Sequence, residues 1–235
     1  MTATRTARDR ARAQLSHEIK EAARRQVAVE GAQSLSLRAI ARELGMVSSA
    51  LYRYFPSRDE LLTQLIIDAY DGIGAAVEQA AAPLEADPRA AWQAQCAAAR
   101  DWAKSRRHEY ALIYGTPVPG YEAPEDTVGP ASRIPVALLR TMHIAHELGM
   151  LAVPGDTLSA ELAAQARTVS ELTGVDLPPS ATVRAVIAWS QLSGMIGFEL
   201  FGTFAGSMDP ADAFFTEAVA QMADFIGLVP GSPPA

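Results

Sequence analysis

Within the stretch "VSSALYRYF", Ser48, Ser49, Tyr52, Arg53 and Tyr54 bring hydroxyls, a guanidinium and aromatic rings into very few residues. That chemistry suits nucleic acid. Serine hydroxyls bond base edges or phosphates, a tyrosine ring packs on sugar and thymine methyl, and Arg53 can neutralise a phosphate or read guanine. The same rings also fit a plainer role as core aromatics of a helical hairpin. A second candidate is "MHIAHEL", where His143, His146 and Glu147 stand at i, i+3 and i+4, the spacing of a three-ligand metal cluster on one helix face. It is not HExxH and no second helix offers a further ligand, so these are read as cavity-lining or surface histidines, with no metal. For catalysis there is no nucleophile elbow, phosphate-binding glycine loop or pair of catalytic carboxylates, and neither an enzyme nor a cofactor is expected.

The elements that must position the first cluster follow from spacing and punctuation. Ile19, Ala22, Ala23, Val27 and Ala28 form one apolar stripe of a helix running from about Gln14 to Glu30, which Gly31 can end. In "SLRAIARELG", Ser36 caps a second helix whose Leu37, Ile40, Ala41 and Leu44 face inward, and Gly45 turns the chain. The third helix is very short because Pro56 stops it, and "SRDE", Ser57 to Glu60, is a capping box that starts the fourth. Two short helices across a glycine turn, with another packed behind, make a helix-turn-helix. A helix of about two turns is not stable alone, so Leu51 and Phe55, four apart, anchor it and leave Ser48, Ser49, Tyr52 and Arg53 outside.

Composition sets outer bounds. The chain has 235 residues, one cysteine and a net charge of −7. Cys96 alone forms neither an internal disulfide nor a Cys-rich zinc site, and no run is long and apolar enough for a membrane span or a secretory signal, so a cytoplasmic protein is expected. The charge is segregated: residues 1–60 hold eleven Lys/Arg and seven Asp/Glu, a balance of +4, and the rest carries −11. A basic end on an acidic body suits a nucleic-acid-binding head. Alanine, leucine, glutamate and arginine recur at spacings of three and four, and the whole chain is read as all-α, with about nine helices. The C-terminal "VPGSPPA" reads as a frayed tail.

With these motifs in place, "LSLRAIARELGMVSSALYRYFPSRDELL" resembles the DNA-binding domain of the TetR family of bacterial transcriptional regulators, over roughly residues 15–65. The resemblance implies a homodimer on double-stranded DNA, with one recognition helix per subunit in successive major grooves of an inverted-repeat operator. By position it puts Arg38 near the groove, Ser48, Ser49, Ala50 and Tyr52 on the recognition surface, and Tyr54 and Arg58 against phosphates. Where the family usually carries a capping Ser or Thr two residues after the glycine, this chain has Val47, and Ser48 is expected to cap instead. Arg5, Arg8, Arg10 and Arg12 are either a basic arm that tracks the backbone or enters a minor groove, or a solvated tail.

Residues 1–62 are thus expected to form the DNA-binding domain and 63–235 a larger helical ligand-binding and dimerisation domain. Trp92, Cys96 and Trp102 share one side of a helix that continues through Tyr110 and Tyr114. Such a stripe is either core or, as the family's bundles imply, the lining of a small-molecule cavity, with His143 and His146 as further lining. The segment "SATVRAVIAWSQLSGMIGFELFGTF" is apolar nearly all round, as a helix must be when it packs on its own body and on a second subunit. Trp189, Gly194, Gly197, Phe198 and Phe201 there, with Phe215 and Met222 of the last helix, are the expected dimer interface; the alternative is a monomer with both helices in the core. "WSQLSGMIGFELFG" also resembles a C-terminal domain class named for a Trp-His-Gly signature, with Ser193 at the histidine position. The reading that results is a ligand-responsive regulator, a repressor released by a small hydrophobic or aromatic effector. The alternative is a helical small-molecule-binding protein with a vestigial DNA-binding head.

Overall fold

Glycine and proline punctuation divides the chain into helices. The structure, a computed structural model, describes residues 7–229 apart from 153, 154 and 156, so Arg5 and nearly all of the "VPGSPPA" tail lie outside the described residues. In chain order the helices are α1 (Ala7–Glu30), α2 (Leu37–Glu43), α3 (Ser48–Leu51), α4 (Arg58–Ala81), α5 (Pro88–Ser105), α6 (Arg107–Tyr114), α7 (Val128–Glu147), α8 (Ala160–Thr173), α9 (Pro179–Leu200) and α10 (Asp212–Phe225). Three short 3₁₀ turns and one isolated bridge between Leu151 and Leu228 complete the secondary structure, with no strand among the described residues. The all-α expectation holds.

The count of about nine helices becomes ten among the described residues because the helix expected to run on through Tyr110 breaks at Arg106. There the backbone leaves helical dihedrals (φ −135°, ψ 52°), its N–H turning back to the Trp102 and Ala103 carbonyls. The Ser105 hydroxyl donates to the Trp102 carbonyl as well, so a short polar side chain competes for helical acceptors at the break. α1 also starts earlier than expected. Arg8, Arg10 and Arg12 are exposed residues of its first turns, not of a loose arm.

Two compact units divide the chain: residues 1–69 with 108–128, and residues 70–107 with 129–235. The first reaches past residue 62 and takes in a segment that sequence reading assigned to the body.

In the first unit, Ile19, Ala22, Ala23 and Val27 of α1 are buried with Leu37, Ile40, Leu51, Phe55, Leu62 and Leu65. Lys20 and Arg24 both bind Asp68 of α4, and Arg25 binds Glu43 of α2 at 2.7 Å. Gln26 accepts from the Ser36 N–H and donates to the Ser34 carbonyl, fastening α1 to the segment before α2. Residues 108–128 are held by a Thr63–Tyr121 hydroxyl pair at 2.9 Å and an Arg24–Glu109 contact at 3.7 Å.

In the second unit, α10 packs on α5 and α9, and α8 packs on α9. Trp92 is wholly buried and its indole N–H donates to the Val219 carbonyl. Arg100 forks onto Glu199 with bonds of 2.6 and 2.7 Å and also reaches Asp212, so one guanidinium ties α5 to α9 and α10. These hydrogen bonds hold the Glu199 carboxyl below its ordinary pKa and raise that of Arg100. Arg133 of α7 likewise bridges Asp71 and Glu78 of α4. A Cβ at Gly74 would lie 2.7 Å from that of Arg133, so the close approach needs glycine.

Candidate functional site

The turn that presents the recognition segment is built from backbone bonds. Gly45 takes φ 65°, its N–H goes to the Arg42 carbonyl, and the Met46 N–H returns to Ala41 at 2.8 Å, the two bonds of a Schellman cap on α2. Ser36 Oγ caps the other end by accepting from the Ala39 N–H. Val47 follows at the cap position of α3 in extended conformation with no side-chain bond. The expected Ser48 cap therefore gives way: Ser48 is the first helical residue, past the position from which its oxygen could reach back to the first-turn N–H groups.

α3 is held from below and open above. Leu51 and Phe55 are buried, each worth about 1.5–3 kcal/mol of transfer from water. Ser48, Ser49, Tyr52 and Arg53 are exposed, Ala50 and Tyr54 half-buried, and neither serine hydroxyl has a hydrogen bond among the described residues. Arg38 is exposed on α2. The Arg12 guanidinium stands 5.7 Å from the centre of the Tyr54 ring, so α1 brings one of its basic residues to the end of this segment. Ser57 Oγ accepts from the Glu60 N–H at 3.0 Å, one half of the capping box. Arg58 is used within the head: it donates to the Ala32 carbonyl at 3.0 Å and pairs with Asp59. Neither this role nor that of Gln26 carries a local signal, because both partners are loop carbonyls remote in sequence or fixed by tertiary packing.

The expected ligand-binding residues are shared between the two units. Trp92, Cys96 and Trp102 are core of the second unit, and in the first the Tyr110 and Tyr114 ring centres lie 5.0 Å apart with planes tilted by 42°. Burial pushes the Cys96 thiol and the Tyr110 phenol well above their ordinary pKa values, which leaves both groups neutral. His143 donates through Nδ1 to the Asp176 carbonyl at 2.7 Å, while His146 and Glu147 are exposed. No group of residues suited to hold a metal occurs among the described residues. The second unit does contain a cleft of about 210 Å³, on the other side of α5, where Ala91 and Gln95 face Ala137 and Thr141 of α7. The stripe Trp92–Cys96–Ala99–Trp102 marks the core side of α5, and the residues one position earlier line the cleft. A glutamine inside an alanine-rich helix was the available signal.

The expected interface residues also separate. Phe215 and Met222 are buried within the chain, because α10 lays its apolar stripe on α5, with Arg100 4.7 Å from the Phe215 ring centre. Trp189 is half-buried. The outer face of α9 is mixed: Val186, Ile187, Phe198 and, just past its end, Phe201 are 40–54% exposed, with the polar Ser190 and Gln191 exposed between them; Gly194 is exposed too, and a Cβ there would meet nothing within 4 Å.

Comparison with known proteins agrees with this architecture. Residues 19–65 match the family described as bacterial regulatory proteins, tetR family, and residues 92–222 match the tetracyclin repressor-like C-terminal domain. HTH-type transcriptional regulators of Mycobacterium tuberculosis and Mycobacterium bovis are 37% identical over 211 residues, covering 87% of this chain and 89% of theirs. The crystal structure of the protein SCO4313 superposes with a TM-score of 0.77 at 37% identity, covering 94% of this chain and all of that one. The regulator PfmR of Thermus thermophilus, 20% identical with a TM-score of 0.57 over 91% of this chain and 99% of its own, shares the fold. A glycine-turned helix pair that buries two anchors and exposes hydroxyls and cations, joined to a helical body with these relatives, places the chain in the TetR family of bacterial transcriptional regulators.

Proposed function

We propose that the protein is a cytoplasmic, ligand-responsive repressor that binds an inverted-repeat operator as a homodimer. One observation carries the DNA-binding half: α3 buries Leu51 and Phe55 while Ser48, Ser49, Tyr52 and Arg53 face outward. On a major groove the serines and Tyr52 meet base edges and sugar, and Arg53 meets phosphate or guanine. Four residues of α3 read too little sequence alone, so specificity comes from two copies about 34–36 Å apart, one DNA turn. The exposed apolar residues along α9 and at its end supply the second copy: a two-fold axis sets Ile187, Phe198 and Phe201 against their equivalents, Ser190 and Gln191 meet polar groups of the partner, and Gly194 admits a partner's backbone. An effector in the body releases DNA to the extent that it binds the DNA-incompetent arrangement better.

The test is fluorescence anisotropy of the full-length protein on labelled DNA from upstream of its own gene, followed by selection from fragmented genomic DNA. Saturable, salt-sensitive binding that Tyr52→Ala and Arg53→Ala both weaken is the expected result. Binding no tighter than to random DNA in both experiments would overturn the regulator reading in favour of a small-molecule-binding module.

A further inference from the structure

We propose that the cleft between the end of α4, the start of α5 and the middle of α7 binds a small, uncharged, largely apolar molecule whose single hydroxyl is held by Gln95 and Thr141. This deepens the effector reading and rests on it only for the consequence to DNA.

The deep wall of the cleft is polar in a specific way. Gln95 is 1% exposed and Thr141 4% exposed, yet both line the cleft. The Gln95 amide donates to the Ala137 carbonyl at 3.2 Å, and its oxygen accepts from the Thr141 hydroxyl at 2.9 Å. These bonds orient the amide and leave a surplus. A primary amide has two N–H donors and its oxygen two lone pairs; the Gln95 nitrogen has one acceptor among the described residues, and Thr141 donates but accepts nothing there. A buried donor without a partner is costly, so a guest that accepts from Gln95 and donates to the lone pairs beside it is favoured. A hydroxyl does both.

The rest of the lining sets size and charge. Leu84, Ala91 and Ile144 present carbon, and the volume of about 210 Å³ exceeds the roughly 150 Å³ in which a buried apolar cavity holds a benzene ring. A monocyclic guest with one or two small substituents therefore fits. Of the charged lining residues, Glu78 is already bound by Arg133, while Glu85 and Arg140 bring opposite signs. A charged guest gains from one and is opposed by the other, so neutrality is selected.

Isothermal titration of the full-length protein with p-cresol, toluene and p-toluate tests the assignment. The expected result is that p-cresol binds about fivefold or more tighter than toluene, the worth of one net hydrogen bond, and p-toluate binds more weakly than p-cresol. Gln95→Leu and, as a milder change, Thr141→Val should erase the preference for p-cresol over toluene, and Ala81→Trp, at the mouth, should abolish both. Equal binding of p-cresol and toluene to the unaltered protein, tighter binding of p-toluate, undiminished binding to Ala81→Trp, or no binding of any probe would overturn it. Release of DNA by p-cresol, read separately by anisotropy, tests the effector reading and leaves the calorimetric assignment standing or falling by itself.

Discussion

Tyr52 near α3 and the Phe198–Phe201 pair at the end of α9 both expose aromatic rings, and they do so in opposite company. Tyr52 on the recognition segment is 42% exposed, beside exposed Arg53 and two serines with unused hydroxyls; Phe198 and Phe201 at the end of α9 are 52% and 54% exposed, with the Phe204 ring 5.7 Å from that of Phe198. The ring is common to both, and its neighbours decide the partner. A surface with a cation and hydroxyls keeps its hydration until a polyanion displaces it, whereas carbon beside carbon gains only by meeting more carbon.

That contrast has measurable consequences. The largest concerns salt. Raising it from 50 to 200 mM should weaken DNA binding by about a thousandfold through counterion release and leave the dimerisation constant nearly unchanged. Comparable salt sensitivity of both, by anisotropy and analytical ultracentrifugation, would erase the distinction. Next is Phe198→Asp, which sets a charge among the exposed rings at the end of α9 and should weaken dimerisation by about a hundredfold, with folding intact by circular dichroism. A variant that sediments like the unaltered protein would remove α9 from the interface.

On the inner side of α9, Glu199→Gln should cost about 2 kcal/mol at neutral pH, because Arg100, 8% exposed, loses its charged bidentate partner and keeps only Asp212. The Glu199 carboxyl has a lowered pKa in the folded chain. Its contribution is therefore complete above the unfolded carboxylate pKa and fades as pH falls through the folded value, so the gap between the two unfolding curves should close in acid. A gap independent of pH would show that the charge pair is not what the substitution removes. The smallest change is Arg53→Ala, expected to weaken DNA binding about tenfold and to lower the salt slope by about one, with no effect on the dimer. An unchanged slope would place Arg53 away from phosphate.

The head was more legible than the body, and particular residues show why. Gly45, Pro56, Ser36 and the Leu51–Phe55 spacing act over five residues or fewer, so their consequences stand in the local sequence. Arg58 departs from this pattern: its sequence position suggests phosphate, but folding brings the Ala32 carbonyl, 26 residues away, within 3.0 Å. In the body the stripe Phe215–Met222 announced a buried face, but a 3.6-residue period says that a face is covered without saying by what, and within the chain it is α5 and α9 that α10 packs on. That pairing was made by packing.

The sequence by itself determined the all-helical chain, the glycine-turned helix pair, the two anchors under α3 and the segregation of basic charge into the first sixty residues. All of these depend on backbone preferences and short-range spacing, which each stretch carries with it. Only the tertiary structure decided which side of α5 faces α10 and which faces the cleft, that Gln95 meets Thr141 46 positions away, that Arg133 closes over Gly74, and that apolar residues along α9 and at its end stay exposed. Those outcomes depend on which helices meet, and burial of one apolar stripe is about equally favourable against any surface of matching shape until the whole chain has chosen.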